Sequence, residues 1–166
     1  MIFRKAKTED TEQIWRIILE AKEQMRRLGS LQWQDGYPWF ETITGDIGRG
    51  WGYVLCRDDR IAAYGAVMFG GEEAYISIDG AWLSDRPYAV VHRLAVAEEM
   101  KHRGVAGRFM GEAGKLALEN RVYSFRVDTN FDNHYMHKLL EKQGFTYCGE
   151  IIYQDGKRMA YEKLLE

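Results

Sequence analysis

Residues 88–96, Tyr-Ala-Val-Val-His-Arg-Leu-Ala-Val, make a nearly unbroken apolar run, and the segment after it changes period. A strand this apolar belongs at the centre of a sheet covered on both faces. Next come Lys101-His102-Arg103-Gly104-Val105-Ala106-Gly107-Arg108, and then Phe109, Ala113, Leu116 and Ala117 at helical spacing. A buried strand that turns through a glycine-bearing loop straight into a helix restricts the chain to layered α/β arrangements. The first-turn N–H groups of such a helix lack intrahelical partners and, with its dipole, suit a phosphate or pyrophosphate. Gly104, Ala106 and Gly107 let the backbone approach a ligand, and Lys101, Arg103 and Arg108 add positive charge. A plain strand-to-helix turn with a solvated basic face fits the same residues.

The other elements follow from patterning. Residues 2–6 read as a short strand, and Thr8 or Asp10 caps a long helix carrying Ile14, Ile17, Ile18, Ala21, Met25 and Leu28, with Gly29 as its stop. Residues 36–48 read as a shorter helix with Trp39, Phe40, Ile43 and Ile47 on one side. Trp51–Cys56 and Ile61–Phe69 form an antiparallel hairpin, and residues 74–79 read as a further strand. Tyr123–Val127 is a strand. Residues 133–143 form a helix capped by Asp132, with Tyr135, Met136, Leu139 and Leu140 inward. Two strands turning at Asp155-Gly156 close the chain. The order is β-α-α-β-β-β-β-α-β-α-β-β, and its natural packing is a mixed, mostly antiparallel sheet with helices on both faces.

Composition removes several classes. The 166 residues fit a single domain, 1–166, and 25 acidic against 23 basic residues leave a net charge of −2. Nucleic acid and anionic membrane are therefore not expected partners. Cys56 and Cys148 match no zinc spacing or disulfide framework, and no metal is expected. Met1-Ile2-Phe3-Arg4-Lys5 meets charge before an apolar segment builds, and Ile61–Gly71 is too short to span a bilayer. The expected location is the cytoplasm. A dinucleotide fold is set aside, because Gly104-Val105-Ala106-Gly107 lacks the G-x-G-x-x-G pattern and the unit follows an antiparallel hairpin.

Val90–Met110 resembles motif A of the GNAT superfamily of acetyl-CoA-dependent N-acetyltransferases. Lys101-His102-Arg103-Gly104-Val105-Ala106 matches the Q/R-x-x-G-x-G/A signature except at its first position. Asp128-Thr129-Asn130-Phe131-Asp132-Asn133, with Met136, Leu139, Leu140, Glu141, Lys142, Gly144 and Phe145, resembles motif B. The resemblance implies a sheet whose motif A strand splays from the next one to admit the pantetheine arm of acetyl-CoA. It places backbone groups of Leu94, Ala95 and Val96 along pantetheine. The amides from Arg103 through Arg108 fall on the pyrophosphate, with Lys101 and His102 beside them, and Asn133 on the lower part of the cofactor. A backbone N–H near Ala95 would stabilise the oxyanion. The family's habit allows a homodimer.

The implied reaction moves acetyl from acetyl-CoA to a primary amine by direct attack in a ternary complex. A small-molecule amine is favoured as acceptor, and a non-catalytic coenzyme A-binding regulatory domain is the alternative. Many members carry a tyrosine seven residues after the motif B Asn as general acid, and that position here is Leu140. Tyr135, Tyr147, Cys148 or water would then serve. His92 is the candidate base, with its near-neutral intrinsic pKa, although a packed strand histidine reads the same way. Glu72, Glu73 and Asp79 precede that strand and could orient the amine. His134 and His137 stand i,i+3 without a further ligand set, as at a solvated helix start. Trp33, Tyr37 and Trp39, with Asp35, either line an acceptor pocket or pack the first helices.

Overall fold

A computed structural model describes residues 1–166. The chain forms strands β1 (Ile2–Lys5), β2 (Gly52–Arg57), β3 (Arg60–Phe69), β4 (Asp79–Gly80), β5 (Ala89–Val96), β6 (Ser124–Thr129), β7 (Thr146–Tyr153) and β8 (Gly156–Leu164), and helices α1 (Thr11–Arg27), α2 (Phe40–Gly48), α3 (Val105–Glu119) and α4 (His134–Lys142). The strands hydrogen-bond in the order β1-β2-β3-β5-β6-β8-β7-β4. The β5–β6 pair is parallel, and β1–β2, β2–β3, β4–β7, β6–β8 and β7–β8 are antiparallel. This is the expected α/β fold with a mixed, mostly antiparallel sheet. Two compact units divide the chain, Met1–Val67 with Val91–Glu112 and Met68–Val90 with Ala113–Glu166.

In the first unit, alternate residues of β3 serve opposite faces. Tyr64 joins Ile14, Ile17, Ile18 and Ala21 of α1, Ile43 of α2, and Val54, Ala95 and Ala97 in one core. Its neighbour Gly65 faces the other way, where a Cβ would stand 2.7 Å from Cζ of fully buried Phe109 on α3. Helices therefore cover both faces. The α1 stripe is buried at Ile14, Ile17, Ile18 and Ala21 but ends before Leu28, which is exposed; Gly29 at φ +77° stops the helix. Asp10 does not cap α1. Its carboxylate accepts from Lys7 N at 2.8 Å and pairs with Arg4 at 2.7 Å, an arrangement that lowers its pKa.

In the second unit, Phe125 of β6 meets Phe145 and lies near Gly114 of α3, while Tyr161 of β8 meets His137 of α4. The opposite face collects Tyr75, Val90, Ile151 and Ala160, with Trp82, Tyr88 and Tyr153 partly buried against them. Gly80 and Gly149 approach so closely that a Cβ on either would stand 2.2 Å from a carbonyl oxygen of the facing strand.

Three local expectations change. The helix expected over 36–48 begins at Phe40, because Gly36 is left-handed at φ +101°, Lys22 Nζ holds the Gly36 and Pro38 carbonyls at 2.7 Å, and Thr42 Oγ1 accepts from Trp39 N. Residues 74–79 supply a short 3-10 turn, Glu73–Tyr75, because the Glu72 side chain accepts from Ala74 N; only Asp79 and Gly80 pair as strand. Asn133, not Asp132, caps α4, accepting from Met136 N at 3.2 Å, while Asp132 accepts from Asn130. That start leaves Tyr135 57% exposed rather than inward.

Gly65→Ala should lower stability by about 1–3 kcal/mol through overpacking against Phe109. Urea denaturation of the purified variant measures this.

Candidate functional site

Strand β5 carries a charge where its neighbours are apolar, and its backbone bends there. Arg93 sits at φ +59°, a left-handed conformation that costs an L residue energy and persists only when its surroundings enforce it. The enforcement is visible. Nε donates to Asp46 Oδ2 at 2.9 Å, Nη2 to Asp46 Oδ1 at 2.6 Å, and Nη1 to Tyr37 Oη at 2.7 Å. Tyr64 Oη donates to Asp46 Oδ2 at 2.5 Å. Burial alone would lower the Arg93 pKa, but bonding to Asp46 and attraction to Tyr37 and Asp46 hold it above its ordinary value. Burial, and then the Asp46 charge, push the Tyr64 phenol far up, so it stays a donor. The β5–β6 ladder comprises Ala89↔Phe125 and Val90↔Arg126, so the backbone of Leu94–Val96 has no partner in it.

The segment after β5 turns through a 3-10 helix, Glu98–Met100, into left-handed His102 (φ +62°) and Gly104 (φ +73°). Arg108 N donates to Gly104 O at 3.0 Å, the first bond of α3, which makes Gly104 the cap and leaves the amides of Val105, Ala106 and Gly107 without intrahelical acceptors. A Cβ on Gly104 would meet nothing within 4 Å. The open loop, two left-handed residues and a 15-residue helix behind them suit an anion such as pyrophosphate. The basic side chains contribute less than their sequence suggests. Lys101 Nζ is bonded to Gln24 and Glu98, and Arg108 Nη2 donates to Met1 O. The backbone amides, more than the side chains, are what the loop leaves unengaged.

In the second unit, Leu140 is fully buried in the core. His137 Nδ1 lies 2.7 Å from Tyr161 Oη, and its Nε2 lies 3.0 Å from Asn130 O and 3.2 Å from Phe131 O. Carbonyls accept only, so Nε2 carries a proton and donates to them. His137 is thus tied into the α4 start. Arg126 Nε donates to Glu162 Oε1 at 2.5 Å and Nη2 to Ser84 O at 2.6 Å, with the guanidinium over Trp82 and Tyr88. Tyr75 Oη and Tyr153 Oη donate to Asp128 Oδ2 at 2.7 and 3.0 Å.

Of the residues singled out from sequence, the first unit holds His92, half-buried on β5, the Leu94–Val96 backbone and the Lys101–Arg108 loop. Tyr37 is 42% exposed and bonded to Arg93, whereas Trp33 packs against the α1 core. The second unit holds Asn133 at the α4 cap. Asp79 is exposed on β4, Tyr135 is exposed on α4, and Tyr147 is exposed edge-on to Tyr161. Cys148 is buried, and burial raises its thiol pKa. The Arg93–Asp46 pair and the Asp128 cluster were not singled out. Asp46 falls three residues after Ile43 on the apolar side of α2, and Arg93 falls inside the apolar strand. Each misplaced charge was a signal that a partner existed.

These features are those of an acyl-transferring α/β domain, and the chain belongs to the Acetyltransferase (GNAT) family, whose profile matches residues 11–145. It is an acetyltransferase of that family. A GNAT-family acetyltransferase from Streptococcus agalactiae is 37% identical, with a TM-score of 0.91 over 99% of this chain and 95% of that one. A Staphylococcus aureus acetyltransferase is 28% identical, with a TM-score of 0.76 over the whole of both chains. YesJ of Bacillus subtilis, an uncharacterized N-acetyltransferase, is 26% identical over 149 residues, 85% of this chain and 79% of that protein. No helix is long and apolar enough to cross a membrane.

Removing the Asp46 carboxylate leaves a buried guanidinium uncompensated. Asp46→Ala should therefore cost about 3–5 kcal/mol. Tyr37→Phe, which removes only the outer bond of Arg93, should cost about 1 kcal/mol. Denaturant unfolding of the two variants side by side checks the difference.

Proposed function

We propose that residues 1–166 act as one acetyl-CoA-dependent N-acetyltransferase domain in the cytoplasm, moving acetyl to the primary amine of a small molecule by direct attack in a ternary complex. The observation that carries this reading is the open left-handed loop at His102–Gly104 leading into the unbonded amides of α3. GNAT acetyltransferases draw their acetyl group from acetyl-CoA, and this loop fits its pyrophosphate. When bound, acetyl-CoA supplies an activated thioester.

The chain's own residues then bind and orient. The amides from Arg103 to Gly107 bind the pyrophosphate, with Arg108 closing the first turn of α3 and Lys101 and His102 flanking the loop. The backbone of Leu94, Ala95 and Val96 aligns the pantetheine arm, and a nearby N–H faces the developing oxyanion. Asn133 meets the lower part of the cofactor. Trp33, Tyr37 and Asp79 orient the acceptor, and His92 takes the proton from its amine. Because Leu140 is sealed in the core, the proton for the leaving sulfur comes from Tyr135 Oη, Tyr147 Oη or water. Proximity supplies much of the rate.

Calorimetric titration with acetyl-CoA, joined to a thiol-release screen of amines on the same sample, tests the reading. Binding with release is expected. Binding without release across a broad amine panel would mark a coenzyme A sensor instead, and no binding would remove the proposal. Gly104→Glu, which puts bulk and negative charge at the anion loop, should abolish acetyl-CoA binding while the fold is retained. Gly104→Ala, facing open space, controls for the backbone strain of about 1 kcal/mol at a left-handed position. Only a neutral amine attacks, so turnover at subsaturating acceptor should rise with pH toward the acceptor's own pKa and then level; a pH–rate profile from neutral to alkaline measures it.

A further inference from the structure

Each of the three buried carboxylates in this protein has an arginine: Asp10 has Arg4, Asp46 has Arg93 and Glu162 has Arg126. Asp128, half-buried on β6, has none. Both of its hydrogen bonds come from neutral phenols, Tyr75 and Tyr153, and both fall on one oxygen, Oδ2. Oδ1 takes no bond and is not among the sealed polar atoms, so it remains open to a donor from outside. A carboxylate drawn partly out of water without a countercharge is costly, and two phenols offset only part of that cost. The Tyr75 phenol cannot relieve it by transferring charge. Tyr75 is fully enclosed, and burial and then the Asp128 charge keep its proton in place.

The surroundings suit a carbon-bodied cation. Asp128 lies two residues beyond Arg126, on the same face of β6. Arg126 lines a cleft of about 540 Å³ walled by Tyr75, Trp82 and Tyr88, and Asp128 adjoins that cleft through the Tyr75 hydroxyl it holds. The Arg126 charge at that cleft is already neutralised by fully buried Glu162, and Asp85 and Arg86, which also line it, carry opposite charges. Aromatic walls with an uncompensated carboxylate beside them favour organic ammonium groups over anions.

We propose that Oδ1 of Asp128 is the docking point for a second, protonated amine group of the acceptor, distinct from the neutral amine that attacks, so that the acceptor carries at least two amines. This rests on the transferase reading for the word acceptor. The test is calorimetric titration of the coenzyme A-saturated protein with putrescine, with butanediol as its uncharged counterpart. Wild-type protein should bind putrescine and not the diol, and added salt should weaken binding. Asp128→Asn keeps an acceptor oxygen for both phenols but removes the charge, and should weaken putrescine by at least about tenfold. Glu150→Gln, an acid on β7, two strands from β6, should leave it unchanged.

Equal putrescine binding by a folded Asp128→Asn variant, or none by the wild type, overturns the proposal. If Asp128→Asn does not fold, thermal stabilisation of the wild type decides: equal shifts from putrescine and butanediol overturn it. The coenzyme A titration comes first, so failure there removes the transferase reading alone, and putrescine titration of the free protein still reports on Asp128.

Discussion

A guanidinium and a carboxylate meet in the first unit where three elements converge, and much of the local backbone depends on that meeting. Arg93 comes from β5, Asp46 from α2, and Tyr64 from β3 holds the carboxylate in place. The pair does more than join α2 to the sheet. Its rigid fork geometry specifies where the Arg93 side chain must point, and the strand adopts a left-handed residue to deliver it. Replacing the pair by apolar residues could preserve the packing, but it would remove the reason for the bend. The residues after the bend, Leu94 to Val96, are those whose backbone stands outside the β5–β6 ladder.

The second unit solves a similar problem with a different emphasis. Arg126 and Glu162 face each other across β6 and β8, and Ser124 adds a second donor to the same carboxylate oxygen. The indole and phenol rings of Trp82 and Tyr88 lie against the guanidinium, so its charge is met by rings, a carboxylate and a backbone carbonyl together. This cluster ties the irregular segment before β5 to the sheet without regular secondary structure. Side-chain chemistry does there what hydrogen-bond ladders do elsewhere.

Element type and order were legible in the sequence because periodicity is a local signal. The α1 stripe of Ile14, Ile17, Ile18 and Ala21, the β2–β3 hairpin and the α3 start all stand where their patterns place them. Boundaries moved where side chains took over the role of the backbone. Thr42 and Lys22 delay α2, Glu72 turns residues 73–75, and Asn133 resets the phase of α4. The left-handed turn into α3 was legible because glycine and helix-start signals are contiguous. The Arg93–Asp46 and Asp128–Tyr75 contacts join residues 47 and 53 positions apart, and no local pattern reports such a distance. A charge in an apolar stripe could have flagged them, though it names no partner.

Asn133 shows how a structural duty narrows a chemical one. An asparagine side chain ordinarily offers both an accepting oxygen and a donating nitrogen. Here the oxygen is already engaged by the Met136 amide at the start of α4. What the residue presents freely beyond the helix is the NH₂ group, with one lone pair of the oxygen left beside it. A molecule meeting it there is read chiefly for its lone pairs. The bias toward donating is built in by the need to start a helix.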